Sequence, residues 1–215
     1  MEKSKKSPLL SFKYLAYDFV KFTAAIPGVL WFRTKCLYES DEAKKKIKGG
    51  AIVLGNHNGF VDPIYIMFSI WYRRHHFICT EDIYRFPLTW FLCIPINREN
   101  TSFDSLRGIV DHLKAGDLVS IFPEGGVNHS DGTVAAFKSG MVLMAVQSGC
   151  PIIPVYVLKR KNVFERMRVA IGDPVDVRKT YGPMPSLKQI NEITVSLHEK
   201  EELLRDMCQN DRKKK

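Results

Sequence analysis

No stretch of this chain is long and apolar enough to read as a clear membrane span. In the aromatic region before residue 39 the longest charge-free run, Phe22 to Phe32, is 11 residues, whereas a spanning helix needs about 20. Cysteine is sparse: Cys36, Cys79, Cys93, Cys150 and Cys208 are odd in number and scattered, with no Cys-x-x-Cys pair. That argues against a zinc site or a disulfide framework, and for a reducing, cytosolic setting. No Gly-x-Ser-x-Gly occurs, so a nucleophile-elbow hydrolase is disfavoured. Gly-x-Gly-x-x-Gly, P-loop and RNA-binding motifs are missing too, which leaves nucleic acid without support. The first eight residues are polar and no small-residue cleavage site follows cleanly, so no cleavable signal peptide is visible. No internal repeat and no linker divides the chain.

Acidic residues are in the minority, 23 against 32 Lys and Arg, for a formal net charge of +9. The excess implies an anionic partner: nucleic acid, an acidic membrane or a phosphorylated substrate. The 215 residues, 45% of them apolar, suffice for one domain with a proper core. Met1 to Pro8 is rich in lysine and serine and reads as disordered. In residues 9–38, Phe12, Leu15, Phe19, Phe22 and Ile26 recur at steps of three and four, one stripe on a helix. Pro27-Gly28 interrupts it. The segment reads either as a core helix or as a broken amphipathic hairpin in a membrane interface, with Tyr14, Tyr17 and Trp31 at headgroup depth. Lys44 to Lys48 follows, a solvated loop or a patch for an anionic bilayer.

The chain is organised around Gly55-Asn56-His57-Asn58-Gly59-Phe60-Val61-Asp62-Pro63. Ala51 to Leu54 leads in as a buried strand, and glycines flank a turn. Asp62-Pro63 then predicts a helix start, Asp at the N-cap and Pro at the first helical position. On one continuous helix, residues five apart would point to different faces. With His57 on the turn and Asp62 at the helix mouth, the carboxylate can reach one ring nitrogen and leave the other free to take a proton. That is the base-and-orienter half of a Ser-His-Asp triad.

Further strands are expected at Phe77 to Cys79, Leu118 to Phe122, Ile152 to Leu158 and Val169 to Ile171, and helices over Asp104 to Ala115 and from about Ala135 to Ser148. Ser186 with Gln189 is a capping-box pattern opening an amphipathic helix to about Met207. Arg212 to Lys215 reads as a disordered basic tail. Adjacent His75 and His76, on a basic corner, read as surface residues rather than metal ligands, because adjacent residues do not converge on one metal in a helix or strand. Strands alternating with helices give an α/β class: a central, mostly buried sheet flanked by helices.

Four elements in order carry a resemblance. These are His57-x4-Asp62, an apolar run ending in Arg98, Phe122-Pro123-Glu124-Gly125 with Phe137-Lys138-Ser139-Gly140 after it, and Pro151-Ile152-Ile153-Pro154-Val155. Over residues 50–180 the chain resembles the glycerolipid acyltransferase family, of the lysophosphatidic acid acyltransferase type. The resemblance divides the chain into a basic N-terminus with interfacial helices (1–48), an α/β acyltransferase domain (49–210) and a basic tail (211–215). It favours the hairpin reading of the N-terminal segment, and a cell-membrane protein, peripheral or monotopic on the cytoplasmic face.

The implied reaction is acyl transfer from a thioester, acyl-CoA or acyl-carrier protein, to the free hydroxyl of a lysophospholipid, 1-acyl-sn-glycerol-3-phosphate first. His57 would be the general base, a role worth about 10²–10⁴ in rate, and Asp62 its orienter. Arg98, Glu124, Gly125, Gly126 and Lys138 would form the acceptor site, with Arg98 on the phosphate. No cofactor or metal is implied, and the partners are donor, acceptor and an anionic membrane surface. Two departures bear on the acceptor: Gly126-Val127-Asn128 stands where the family commonly has Thr-Arg-Ser, and Thr80 where many members have Lys. The competing classes are the same chemistry on another acceptor, a thioester hydrolase, and a non-catalytic basic lipid-binding module.

Overall fold

The computed structural model describes residues 33–59, 61–85, 89–96, 103–127, 133–162 and 164–214, and before them 14, 15, 17–19, 21–23, 27, 28 and 31. Seven strands form one sheet: β1 (Lys35–Tyr38), β2 (Ala51–Gly55), β3 (His75–Thr80), β4 (Cys93–Ile96), β5 (Leu118–Ile121), β6 (Ile152–Leu158) and β7 (Arg168–Ile171). Their order is β1-β7-β6-β2-β5-β3-β4. Pairing is parallel throughout except between β6 and β7.

The central strands β2 and β6 carry no charged residue and are buried throughout, because both faces are covered. Ile52 and Leu54 of β2 point to one side, where Ile109, Leu113, Met141, Ala145, Ile193 and Leu197 pack on them. Ala51 and Val53 point to the other, against Tyr65, Ile66, Ile70, Val155 and Val157. The first layer is built by helices Phe103–Lys114, Gly140–Ser148 and Leu187–Lys213, the second by Asp62–Ser69. The helix after β2 therefore lies on one face and the helix after the neighbouring β5 on the other. Connections diverging from adjacent parallel strands open a crevice at the strands' carboxyl ends. His57 follows β2, and Glu124 follows β5.

Several expectations are corrected. The last helix carries both bonds of the Ser186–Gln189 capping box, but it runs to Lys213, so residues 211–213 are its final turn and not a free tail. Ion pairs fix that turn: Lys35 to Asp211 at 2.5 Å, Asp211 to the buried Arg168 at 3.0 Å, and Arg212 to Glu165 at 2.8 Å. The helix expected from Ala135 begins only at Gly140; before it, the Lys138 N–H is bonded to the Pro123 carbonyl instead of to a helical partner. His75 and His76 are buried at the start of β3, not on the surface. Ser120 and the Ile70 carbonyl flank the two ring nitrogens of His75, each at 3.3 Å, and burial pushes its pKa down to about 3.

Much of the N-terminal hairpin call lies outside the described residues. Where it can be followed, Tyr14 and Tyr17 face the domain rather than a headgroup layer. The Tyr14 hydroxyl donates to Asp117 at 2.7 Å, and the Tyr17 oxygen accepts from the His75 N–H at 2.8 Å. The expected apolar stripe is on the opposite side: Leu15, Phe19 and Phe22 are 69%, 69% and 78% exposed. No helix among the described residues is long and apolar enough to cross a membrane.

Gly50, just ahead of β2, sits against the end of the 103–114 helix; a Cβ there would lie 1.9 Å from the Leu113 carbonyl oxygen. That neighbour is backbone and cannot swing away. Gly50→Ala should cost about 1–3 kcal/mol of stability, the usual range for overpacking, read as a lowered urea midpoint at unchanged m-value. An unchanged midpoint would contradict this packing.

Candidate active site

β2 leaves the sheet under tight control. A Cβ on Gly55 would stand 2.7 Å from Ile66 Cδ1, so the strand end and the following helix are in contact. Asn56 is buried, and its side-chain amide copies a strand residue. Nδ2 donates to the Val157 carbonyl at 3.0 Å, and Oδ1 accepts from the Val157 N–H at 2.7 Å. The β2–β6 pairing is thus extended by one side chain, and the chain is aimed at His57.

Asp62 is not an N-cap. The helix begins at Asp62 itself, Val61 occupies the cap without a side-chain bond, and Pro63 stands in the first turn. The carboxylate reaches back instead: Oδ2 accepts from the N–H groups of Asn58 at 2.6 Å and Gly59 at 2.7 Å. The same oxygen faces His57 Nδ1 at 3.5 Å. Nδ1 is buried and has no hydrogen-bond partner among the described residues, so Asp62 is the group it faces. The imidazole stacks on Phe122, centroids 4.4 Å apart and planes 22° apart. One wall of the ring is therefore supplied by the residue that opens the second motif.

That motif meets the first through Glu124, whose Oε1 accepts from the His57 N–H at 3.2 Å. Gly125 has φ +76°, a left-handed conformation suited to glycine, and its N–H closes the turn on the Phe122 carbonyl at 3.1 Å. The Lys138 ammonium lies over this turn, 2.9 Å from where a Gly125 Cβ would stand. A Lys138 N–H bond to the Pro123 carbonyl, at 3.0 Å, holds the two segments together. His57, Asp62, Glu124, Gly125 and Lys138 are thus gathered at one end of β2 and β5, with Gly126 next along the turn. Arg98 lies outside the described residues.

Sequence reading missed three neighbours: Asn56, Tyr156 and Glu201. Burial pushes the Tyr156 phenol up to about 12, against a hydrogen bond with the Asn58 side chain. Glu201 is fully buried, and neither of its oxygens has a partner among the described residues. Burial, and then the nearby Glu124 carboxylate, raise its pKa well above the ordinary glutamate value. A signal for it exists. Ile190, Ile193, Leu197, Glu201, Leu204 and Cys208 are the buried stripe of the last helix, and Glu201 is the acid standing on that stripe.

A family model described as Acyltransferase matches residues 36–158, from β1 to the end of β6. A 1-acyl-sn-glycerol-3-phosphate acyltransferase of Bacillus subtilis is 26% identical over 163 residues, 70% of this chain and 79% of that protein. One of the same description from Borreliella burgdorferi is 25% identical over 68% of this chain and 61% of its own length. The crystal structure of the 1-acyl-sn-glycerophosphate (LPA) acyltransferase PlsC from Thermotoga maritima has the same fold. Its TM-score is 0.64 at 20% identity, over 91% of this chain and 82% of that one.

The Glu201 environment has a measurable sign. With a raised native pKa, folding is favoured most below the unfolded value of about 4.3. That advantage is lost as pH rises toward the native value, at up to about 1.4 kcal/mol per pH unit. Glu201→Gln removes the titration, so its stability should gain on wild type between pH 5 and pH 8 in thermal melts. Parallel pH curves for the two proteins would refute a raised Glu201.

Proposed function

Because the chain belongs to the acyltransferase family, we propose that it moves a fatty acyl group from an acyl thioester to the free hydroxyl of 1-acyl-sn-glycerol-3-phosphate. The products are phosphatidic acid and a free thiol. The observation that carries this reading is the meeting of the His57 turn and the Glu124 turn through the bond from the His57 N–H to Glu124, beside Asp62. The names of the relatives supply the acceptor.

In the proposed mechanism Asp62 favours the tautomer with the proton on Nδ1, leaving the Nε2 lone pair for the acceptor hydroxyl. Nε2 takes that proton as the oxygen attacks the thioester carbonyl. The tetrahedral intermediate collapses with cleavage of the C–S bond, and the proton passes from Nε2 to the departing sulfur. No acyl-enzyme is needed, since the acceptor oxygen is itself the nucleophile. The stacking face of Phe122 and the two amide bonds to Asp62 hold the ring and its orienter before substrate arrives.

Glu124 would serve the acceptor rather than the phosphate. One of its oxygens is taken by the His57 N–H, and a carboxylate repels a phosphate, so its second oxygen, buried and without a partner among the described residues, suits a glycerol hydroxyl. Lys138, draped over Gly125, is the described cation nearest that turn, and with Arg98 it would take the phosphate. The Gly125 N–H is engaged with the Phe122 carbonyl, so of the two expected glycine amides it is that of Gly126 that would add an anion contact. The donor is acyl-CoA or acyl-carrier protein, both acidic and both matched to the +9 charge.

Attachment would be peripheral, at an anionic membrane on the cytoplasmic face. The exposed Leu15, Phe19, Phe22 and Trp31 would enter the interface, as an amphipathic segment does.

The test is thiol release from a long-chain acyl-CoA, with and without lysophosphatidic acid, for wild type and His57→Ala. Release should require the acceptor, and the variant should lose about 10²–10⁴ in rate with its circular dichroism intact. Release indifferent to acceptor would make the protein a hydrolase. Retention of most activity in His57→Ala would remove the histidine from the chemistry.

A further inference from the structure

The second histidine motif of the fold is at the opposite edge of the sheet. β5 and β3 run parallel, with His75 beside Leu118 and His76 beside Val119. The turn that delivers Asp117 into β5 therefore meets the start of β3, at the strands' amino ends. His112 comes down on the same place from the last turn of the 103–114 helix.

Three donor atoms converge there. His112 Nδ1 is 3.1 Å from Asp117 Oδ2, and His76 Nε2 is 3.5 Å from the same oxygen. All three lie within 4.8 Å of one another. The two imidazoles are 4.4 Å apart between centroids and tilted by 42°, so their rings are close without stacking flat. His76 is buried, and its Nε2 has no hydrogen-bond partner among the described residues. A buried ring nitrogen left unpaired is costly, and here it is turned toward a carboxylate and a second imidazole.

These spacings suit a small tetrahedral cation. Metal–ligand bonds of about 2.0–2.1 Å put neighbouring ligand atoms roughly 3.3–3.4 Å apart, between the two separations measured. Two imidazoles and one carboxylate are a donor set for zinc rather than for magnesium or calcium, which prefer oxygen alone. The surroundings are already arranged as an outer shell. Tyr14 donates its hydroxyl to Asp117 Oδ2 at 2.7 Å, and the Tyr17 ring stands 5.7 Å from His76. Arg74, the nearby cation, is occupied elsewhere: Nε donates to Asp18 at 2.9 Å, and the guanidinium stacks 4.5 Å over the Tyr14 ring.

We infer that His76, His112 and Asp117 form a zinc site, completed by a water, that fastens the Tyr14–Tyr17 segment to the amino edge of the sheet. The ion would be structural, because the proposed reaction uses the other edge. It would fix the segment that carries Leu15, Phe19 and Phe22, and so the direction in which that exposed stripe faces.

The experiment uses the full chain, stripped with a chelator and then dialysed against zinc. Metal content is read by plasma mass spectrometry and stability by thermal melting. About one zinc per chain is expected for wild type and also for His57→Ala. His112→Asn keeps an N–H donor where Nδ1 was, so the bond to Asp117 survives while the ligand is gone; it should bind at least ~100-fold more weakly, the upper end of what outer-shell losses already cost. Zinc should raise the melting temperature of wild type and leave that of His112→Asn unmoved. His112→Ala is expected to repeat the loss. Wild type that binds no zinc, or zinc retained equally by folded His112→Asn, would overturn the site.

Discussion

One carboxylate oxygen of Asp62 takes two backbone N–H groups and faces a histidine ring, and the shape of the proposed catalytic end follows from that arrangement. The bonds to Asn58 and Gly59 fold the turn after β2 back onto the first residue of the next helix. Short, charge-assisted bonds of this kind are about twice as strong as neutral ones. They set the turn's shape before any substrate is present. Asn56 fixes where the turn begins, and Phe122 fixes the plane of the ring it presents. The two motifs are neighbours because β2 and β5 are neighbours. Without that pairing, the proposed base and Glu124 would be features of unrelated loops.

Strand direction then divides the molecule. At the carboxyl ends of the parallel strands the chain offers the His57 and Glu124 turns, bonded to each other and carrying the polar side chains of the proposed site. At the amino ends it offers a compact His-His-Asp cluster sealed by two tyrosines. The last helix serves the carboxyl edge from behind. It buries Ile193 and Leu197 against the sheet and carries Glu201, whose pKa is raised by burial first and by the nearby Glu124 carboxylate second.

The features legible in the sequence were those whose causes are local. Ala51–Leu54 and Ile152–Leu158 are apolar at nearly every position because both faces of the sheet are covered, and they read as buried strands. Ser186 and Gln189 announce their helix because a capping box is completed within four residues. Features that depend on distant partners were misread. Asp62 followed by Pro63 has every local mark of a cap, but the amides of Asn58 and Gly59 compete for the carboxylate and win. Adjacent His75 and His76 looked like a basic corner, since nothing in the sequence says that β5 and two tyrosines from residues 14–17 will close over them. Lys138 looked helical until Pro123 claimed its N–H. Glu201 was within reach of sequence reasoning, as an acid on an otherwise apolar stripe; its place beside Glu124 was not.

The central claim is that Asp62 contributes through His57 and not independently of it. A double-mutant cycle on the rate of acceptor-dependent transfer, with His57→Ala, Asp62→Asn and both together, tests this most directly. Residues acting as one unit are strongly non-additive. The account predicts that the double variant is no slower than His57→Ala alone, within about threefold, a margin close to the few tenths of a kcal/mol expected between independent measurements. A double variant slowed by the full product of the two single losses would contradict it, and would leave Asp62 as a support for the turn with no part in orienting the ring.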